Sequence, residues 1–272
     1  MIAVDLTLTG AGAPTTIIDA TGAGTRVIIT NPATTVLITG VTITGGNVSC
    51  TCVGCSAQGG GLANRGTLTV TNSTVSGNTA SCGFAFGLSQ GGGLFNNVTL
   101  TLTNVTVSGN TASCGAGSCS AFGGGLFNDN GAPTLMTATI VAQQLAGADC
   151  AGTITSNGFN LDSDNTCNLT QVTDKPGITS PGVGPLQNNG GPTQTHALLP
   201  GSPAIDMVLS GCPPPATDQR GVGRPQGTAC DIGAYELDRT PIPTLSEWAQ
   251  LGMVALLLGG GLLALRRRVH PA

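Results

Sequence analysis

Residues 59–83 read G-G-G-L-A-N-R-G-T-L-T-V-T-N-S-T-V-S-G-N-T-A-S-C-G, and residues 91–115 repeat them with few changes as G-G-G-L-F-N-N-V-T-L-T-L-T-N-V-T-V-S-G-N-T-A-S-C-G. A third copy opens with G-G-G-L-F-N at Gly123 and then diverges. Cys50, Cys82 and Cys114 follow the same period of 32 residues. A period of this length is typical of a stacked array, in which each repeat buries one face against the next.

The repeats have the pattern of strands rather than helices. Apolar and polar residues alternate with period 2 in segments such as 68–71 and 100–103, and β-branched residues are frequent there. Gly and Asn interrupt this alternation at short intervals, which predicts short strands joined by tight turns. We therefore expect three strands in each unit and an extra loop, beginning at Thr-Ala-Ser-Cys-Gly, that projects from one edge.

The predicted fold class is all-β. We expect a right-handed parallel β-helix, or solenoid, over residues 1–140, with an irregular C-terminal cap and then one C-terminal transmembrane helix. Equivalent asparagines should stack on one another at the turns and form ladders of side-chain amides, with Asn64 over Asn96 and Asn78 over Asn110.

Ten cysteines indicate an oxidising compartment. Six of them fall in the loops of the repeats, and these are Cys50, Cys52, Cys55, Cys82, Cys114 and Cys119. Because stacked units bring these loops together, we expect disulfides between loops, with the pairing left open. A metal site is the alternative, since Cys52-Val-Gly-Cys55 has the spacing of a zinc-ligand pair.

The other four cysteines lie beyond the repeats. Their spacing suggests that Cys150 pairs with Cys167 and that Cys212 pairs with Cys230, each closing a loop of under twenty residues. Such bridges contribute on the order of 3 kcal/mol to stability.

Charged residues make up only 8% of the chain, and the pI is about 4.8. An acidic chain is a poor partner for nucleic acid or for anionic lipid surfaces. Residues 20–128 contain no Asp, Glu, His or Lys, whereas glycoside hydrolysis needs two carboxylates beside the bond.

The N-terminus has no secretion signal and enters directly into strand-like sequence, so we expect the chain to begin inside a longer reading frame. Coils that precede this sequence could carry the acidic and basic residues that the repeats lack, so a polysaccharide lyase or hydrolase is an alternative.

The C-terminus combines an apolar segment with basic residues. The sequence P-I-P-T-L-S-E-W at 241–248 precedes a mainly apolar run of 17 residues, 249–265, and then Arg266, Arg267 and Arg268. This length is at the short end for a transmembrane helix, and the three arginines after it predict a cytoplasmic end. A buried C-terminal core helix is the alternative.

This arrangement resembles the IPTL-type C-terminal sorting signal of bacterial surface proteins. The matching residues are Ile242, Pro243, Thr244, Leu245 and Trp248, and Ala249 stands where that family usually has Gly. The resemblance implies that a membrane-integral, exosortase-type transpeptidase cuts near the motif and discards the helix. It also implies transient anchoring in the inner membrane and a final location on the cell surface or outer membrane of a Gram-negative-type bacterium.

A second resemblance covers about a third of the chain. The segments D-C-A-G-T-I-T-S-N-G-F-N-L-D-S-D-N-T-C (149–167), G-P-L-Q-N-N-G-G-P-T-Q-T-H-A-L-L-P-G-S-P-A-I-D (184–206), D-Q-R-G-V-G-R-P-Q (218–226) and C-D-I-G-A-Y-E (230–236) resemble the choice-of-anchor Q domain. This domain is a bacterial module found upstream of several unrelated C-terminal anchors. The resemblance implies a surface-protein module without established catalytic activity.

These resemblances divide the chain into segments. We expect the choice-of-anchor Q-like module and cap at 141–236, a linker at 237–241, the sorting signal at 242–268 and a tail at 269–272. Within the cap, the Pro- and Gly-rich residues 176–225 should wrap back over the last coil, because an open strand edge invites aggregation.

Few residues of the C-terminal region suit binding or catalysis. Asp162 and Asp164 form a weak calcium candidate, since they are closely spaced oxygen ligands, although an Asp/Asn turn explains them as well. His196 has no obvious partner and is expected to be structural. A charged cluster is expected to form ion pairs that fix the cap rather than a catalytic site, and it consists of Asp218, Arg220, Arg224, Asp231 and Glu236.

The sequence thus predicts an exported, surface-anchored β-helix protein without catalytic residues or cofactor. Polar Thr, Ser and Asn faces on a stiff rod suit weak, repeated contacts with glycans or neighbouring cell surfaces. The expected partners are the processing enzyme, the membrane and such surfaces, with no nucleic acid. A surface enzyme and a purely structural surface-layer component are the alternatives.

Overall fold

The protein is an all-β parallel solenoid of about four turns with a C-terminal strand cap. The computed structural model describes residues 1–10, 16–115, 118–212 and 215–239. Met1–Leu237 form one compact unit. Successive turns stack through parallel sheets, whose strands are numbered here along the chain.

Two sheets run the whole length of the solenoid. The first sheet consists of β1 (Leu6–Thr9), β4 (Thr35–Thr39), β9 (Thr67–Thr71), β14 (Thr99–Thr103), β19 (Thr134–Thr137) and β22 (Thr155–Ser156). The second sheet consists of β2 (Ile17–Asp19), β5 (Thr42–Thr44), β10 (Thr74–Ser76), β15 (Thr106–Ser108), β20 (Ile140–Ala142) and β23 (Leu161–Asp162). The solenoid pairing therefore continues to residue 162.

The remaining strands form three further parallel sheets and a hairpin. The third sheet consists of β3 (Ile28–Ile29), β8 (Leu62–Asn64), β13 (Leu94–Asn96), β18 (Leu126–Asn128) and β21 (Cys150–Ala151). The fourth contains β6 (Asn47–Cys50), β11 (Thr79–Cys82) and β16 (Thr111–Cys114), and the fifth contains β7 (Ser56–Gln58), β12 (Leu88–Gln90) and β17 (Ser120–Phe122). An antiparallel hairpin joins β24 (Val183–Gln187) and β25 (Thr195–Leu198).

The expectation of three strands and a projecting loop in each repeat is wrong, because the fourth and fifth sheets are built from that loop. Identical residues of successive loops stack in register, as Thr79 does on Thr111. Gln58 and Gln90 join their side-chain amides at 3.1 Å. Since equivalent positions carry the same residues, the loop gains the same ladder of backbone hydrogen bonds as the predicted strands.

The triple glycines that open the repeats lie where coils approach closely. A Cβ added to Gly60 or Gly92 would collide with the backbone oxygen of Thr79 or Thr111, respectively. Only glycine allows this approach, because any other side chain would occupy the space of the neighbouring backbone. The triple glycine is therefore a packing requirement of the five-strand coil.

One inward-facing row from each of the first three sheets fills the main solenoid core, and the fourth and fifth sheets form a smaller apolar cluster of their own. In the first sheet the alternation buries Val70 and Leu102, while Thr69 and Thr101 face outward. The third sheet adds a stack of leucines, namely Leu62, Leu94 and Leu126. Each such side chain contributes about 1.5–3 kcal/mol by burial. With few aromatic residues, the core is built from stacked aliphatic side chains.

The predicted asparagine ladders are confirmed. Asn64 Nδ2 donates to Asn96 Oδ1 at 2.7 Å, and Asn96 Nδ2 donates to Asn128 Oδ1 at 2.9 Å. The second ladder joins Asn78 Nδ2 to Asn110 Oδ1 at 3.0 Å. All five side chains are buried, so the ladders satisfy amide groups that would otherwise be costly to remove from water.

The C-terminal end of the solenoid is closed by residues 163–178, which we call the end cap. Cys167 and Leu169 pack into the same apolar core as the leucine stack. The Lys175 amide donates to the Asn160 carbonyl at 2.7 Å, and the Ile178 amide donates to the Asp162 carbonyl at 2.9 Å. These hydrogen bonds occupy the backbone groups of the last coil.

Residues 179–212 and 215–237 form what we call the side cap, and its position corrects the expectation for residues 176–225. Instead of covering the last coil, these residues lie along the outer face of the second sheet. Gln219 Nε2 donates to the Val41 carbonyl at 3.2 Å, and its Oε1 accepts from the Thr74 hydroxyl at 2.7 Å. Near the other end, the Gly233 amide donates to the Ala138 carbonyl at 2.8 Å.

The outer face of the second sheet explains this position of the side cap. Thr74, Thr106 and Ile140 point away from the solenoid core, yet each is at most 2% exposed. Ile140 belongs to a second apolar cluster that it shares with side-cap residues such as Ile232. The second sheet thus lies between two apolar cores, one inside the solenoid and one shared with the side cap. Because the side cap covers this sheet along its length, its edge meets the first sheet along a line parallel to the solenoid axis.

Candidate functional site

The charged cluster of the side cap forms ion pairs that hold the cap together, as expected. Arg224 Nη1 lies 2.8 Å from Glu236 Oε2, with both side chains buried. Arg224 also donates to the carbonyls of Asp231 and Gly233 at 2.8 and 2.7 Å. Burial raises the pKa of the Asp231 carboxyl to about 6, although the amides of Asp206 and Leu237 donate to it and oppose this change. These groups are engaged with one another rather than with solvent.

Arg220 is fixed by a second set of contacts. Its guanidinium pairs with Asp218 Oδ2 at 2.8 Å and lies over the Tyr235 ring, 3.6 Å from the ring centroid. It also donates to the carbonyl of Asn189 at 3.0 Å and to the carbonyl of Glu236. An arginine held by a carboxylate, two carbonyls and an aromatic face is well suited to a fixed structural position.

His196 joins the hairpin of the side cap to the solenoid. Its Nδ1 lies 2.7 Å from the Gly184 carbonyl oxygen, and its Nε2 lies 3.0 Å from the Ser76 hydroxyl. Because a carbonyl only accepts, Nδ1 carries the proton and Nε2 accepts from Ser76 in the neutral ring. Burial lowers the pKa of His196, which favours that neutral form. These contacts agree with a structural role.

Asp162 lies in the last coil and Asp164 in the end cap, and both join the two regions. Asp162 is fully buried, and its two carboxylate oxygens accept from the amides of Gly177 at 2.7 Å and Cys167 at 3.0 Å. Asp164 accepts from the Thr166 amide and hydroxyl and from the Asp149 amide. Among the described residues no group of three or more His, Cys, Asp or Glu side chains is arranged to hold a metal ion. The calcium site stays a prediction.

The ten cysteines form five disulfides. Cys150–Cys167 and Cys212–Cys230 are the pairs that the spacing predicts. Of the loop cysteines, the pair Cys50–Cys82 joins successive coils, whereas the other two bridges are local: Cys52–Cys55 and Cys114–Cys119. The two thiols of the zinc-like motif are thus bonded to each other. Multiple disulfides indicate an extracytoplasmic protein.

Two clefts lie along the boundary between the first sheet and the side cap, which we call the seam. On the solenoid side runs a threonine row, in which the last residues of successive strands are stacked: Thr9, Thr39, Thr71, Thr103 and Thr137. The first cleft has a volume of about 310 Å³, lies beside Thr39 and Asn72, and is closed on the other side by Thr217 and Arg220. Asn72 Nδ2 donates to the Thr217 carbonyl at 2.7 Å.

The second cleft has a volume of about 210 Å³ and begins one coil beyond the end of the first. Thr103, Asn104 and Thr137 form its solenoid wall, and Val208 and Ser210 form its side-cap wall. Sequence reasoning did not select Asn72 or Asn104. The sequence does repeat a Thr-Asn dipeptide at the end of the strand in both repeats. By itself this dipeptide indicates an ordinary turn, and only the structure shows that the side cap covers it.

The sorting-signal residues lie outside the described residues. These are Ile242, Pro243, Thr244, Leu245 and Trp248, with Arg266, Arg267 and Arg268 after the apolar run. Within the part of the chain that the structure describes, no helix has the length and apolar character needed to cross a membrane. Comparison with protein-family models, with curated proteins and with solved structures finds nothing that matches this chain.

Proposed function

We propose that this chain is an exported, non-catalytic β-helix protein of the cell surface that binds glycans or neighbouring surfaces. The five disulfides support export. The same proposal includes three further points: a right-handed solenoid, a choice-of-anchor Q-like module, and an IPTL-type anchor that is processed by an exosortase-type enzyme.

The distribution of charged residues is the observation that supports a function without catalysis. Residues 20–128, which form most of the solenoid, lack every side chain that ordinarily serves as an acid or base at neutral pH except for cysteines, and these are all in disulfides. In the side cap, both arginines are held in ion pairs, Arg220 with Asp218 and Arg224 with Glu236. Repeated hydroxyl and amide groups on a rigid wall suit recognition by many weak hydrogen bonds rather than turnover.

Display can be tested on protein taken from the native cell surface. Mass-spectrometric mapping of the mature C-terminus should find an end near Pro243 or Thr244. A mature chain that keeps Arg266 to Arg268 would contradict the processing part of the proposal.

Binding without turnover is tested with the purified full chain on a panel of soluble and insoluble polysaccharides. We expect retention on at least one of them, with neither new reducing ends nor unsaturated products. Product formation that is lost on substitution of a carboxylate within residues 149–238 would instead support the lyase or hydrolase alternative. Self-assembly without retention of any ligand would support a purely structural surface-layer component.

A further inference from the structure

The corner between the first and second sheets repeats one backbone conformation in five successive coils. Five successive corner residues have positive φ angles of 47 to 68°, and these are Gly40, Asn72, Asn104, Ala138 and Phe159. Their main-chain amides are used within the stack, as Asn72 N donates to the Thr103 carbonyl and Asn104 N donates to the Thr137 carbonyl. The two asparagines therefore add side-chain amides to a corner that a glycine also fits.

Both of these amides are incompletely paired although they are buried. Asn72 is 7% exposed and Asn104 is 3% exposed, yet Asn72 Oδ1 and Asn104 Nδ2 have no hydrogen-bond partner. Among the described residues only three buried side-chain atoms lack a hydrogen-bond partner, and the third is Arg224 Nε. Exchanging the nitrogen and oxygen of Asn72 does not help, because its Nδ2 already donates to the Thr217 carbonyl. An unpaired buried amide is costly, so a bound group that completed these hydrogen bonds would be stabilised.

We propose that the seam is a binding groove for an extended, uncharged polysaccharide that runs along the solenoid axis. This inference rests on the proposed function and names the site and the class of ligand. Asn72 and Asn104 are one coil apart, roughly 4.8 Å, so the two clefts adjoin. The threonine row spans about 19 Å at the same spacing, which accommodates several sugar units.

The groups along the seam suit sugar hydroxyls. Thr39, Thr103 and Thr137 line the clefts with hydroxyls that both donate and accept, and beside them the two asparagines leave one acceptor and one donor unused. A few apolar side chains, such as Phe159 and Val208, provide packing for the C–H faces of sugar rings.

The charges of the seam favour an uncharged ligand. The one cationic side chain in the two clefts, Arg220, is neutralised by its partner Asp218 in the same wall. An anionic polymer would find no unpaired cation there. An extended peptide is disfavoured because the corner amides are already bonded between coils, so no strand edge is open to it.

The variants that test this groove are chosen to keep the backbone conformation of the corner. In Asn72→Gly and Asn104→Gly the amide is removed while the positive φ is kept, and Gly40 occupies the same corner naturally. Ser210→Trp fills the mouth of the second cleft from an exposed position. The matched control is Asn130→Gly, because Asn130 is an exposed asparagine with a φ of 49° that lies outside the seam.

Isothermal titration of the full chain with cellohexaose, xylohexaose, mannohexaose and chitohexaose should give binding to at least one of them, and hexagalacturonate should bind at least tenfold more weakly. Affinity for that hexasaccharide should fall about tenfold in each glycine variant and in Ser210→Trp, and should not change in Asn130→Gly.

The outcomes separate the groove from the function. Wild-type affinity in all three seam variants would overturn the groove and leave the function standing; ordered water would then pair the two amides. Preference for hexagalacturonate would overturn the uncharged class of ligand. Binding to none of the oligosaccharides, together with no retention on the polysaccharide panel, would overturn both proposals.

Discussion

The solenoid and the side cap are stabilised in opposite ways. From residue 20 to residue 128 the solenoid carries only two charged side chains, Arg26 and Arg65, and repeats the same hydrogen bonds in every coil. The side cap repeats nothing and depends on single contacts, such as Arg224–Glu236 and His196–Ser76. A stack in which each coil contacts its neighbours tolerates local damage, whereas a cap held by unique polar contacts does not. The two regions should therefore fail separately.

The largest expected effect comes from Arg224→Met. This change leaves the buried Glu236 carboxylate without its cation and removes the donors to the carbonyls of Asp231 and Gly233. Breaking a buried ion pair from one side costs about 3–5 kcal/mol. Urea unfolding followed by hydrogen exchange should show residues 179–237 opening early, while residues 59–128 keep their protection.

The matched control for this experiment is Arg65→Met, since Arg65 is an exposed arginine of the solenoid. Exposed substitutions of this kind usually change stability by less than about 0.5 kcal/mol. Equal loss of protection in residues 59–128 and 179–237 of Arg224→Met would show that the side cap and the solenoid unfold as one unit, and the comparison would then be wrong.

A smaller effect is expected from the disulfide that closes the solenoid. Replacing Cys150 and Cys167 together by Ala frees a loop with a sequence separation of 17 residues and should cost about 3 kcal/mol. Replacing Cys52 and Cys55, which are separated by 3 residues, should cost roughly 1.5 kcal/mol by the same loop-closure argument. Denaturation midpoints of the two double variants give this difference, and equal midpoints would contradict the loop-length account.

The same contrast explains how much the sequence could predict. The coils and the stacked asparagines Asn64 and Asn96 follow from residues that recur with the period of the coil. The fourth and fifth sheets were missed because segments such as Thr79–Cys82 are only four residues long and are built mostly from small side chains, so they resemble a loop until they pair with their identical neighbours. The position of the side cap was missed because its contacts, such as Gln219 with Thr42, join residues 177 apart and leave no periodic signal.

The seam was beyond the reach of the sequence for a related reason. Asn72 and Asn104 occupy ordinary turn positions, where asparagine is favoured for its backbone conformation alone. Their amides become distinctive only once the side cap buries them without completing their hydrogen bonds. A candidate site of this kind depends on two regions that are distant in sequence, and local motifs do not encode it.

The last of these effects is a pH dependence at Asp149, where the repeats end and buried carboxyls begin. Burial raises the pKa of Asp149 to about 6, although hydrogen bonds from the Ser163 amide and hydroxyl oppose the change. The unfolded value is near 3.9, so between about pH 4 and pH 6 the folded state holds the proton more firmly than the unfolded state. This contribution to stability is complete below pH 4 and is lost as the pH rises through 6, by on the order of 2 kcal/mol. Asp149→Asn should remove it, and a variant with the same pH profile as the wild type would contradict the assignment.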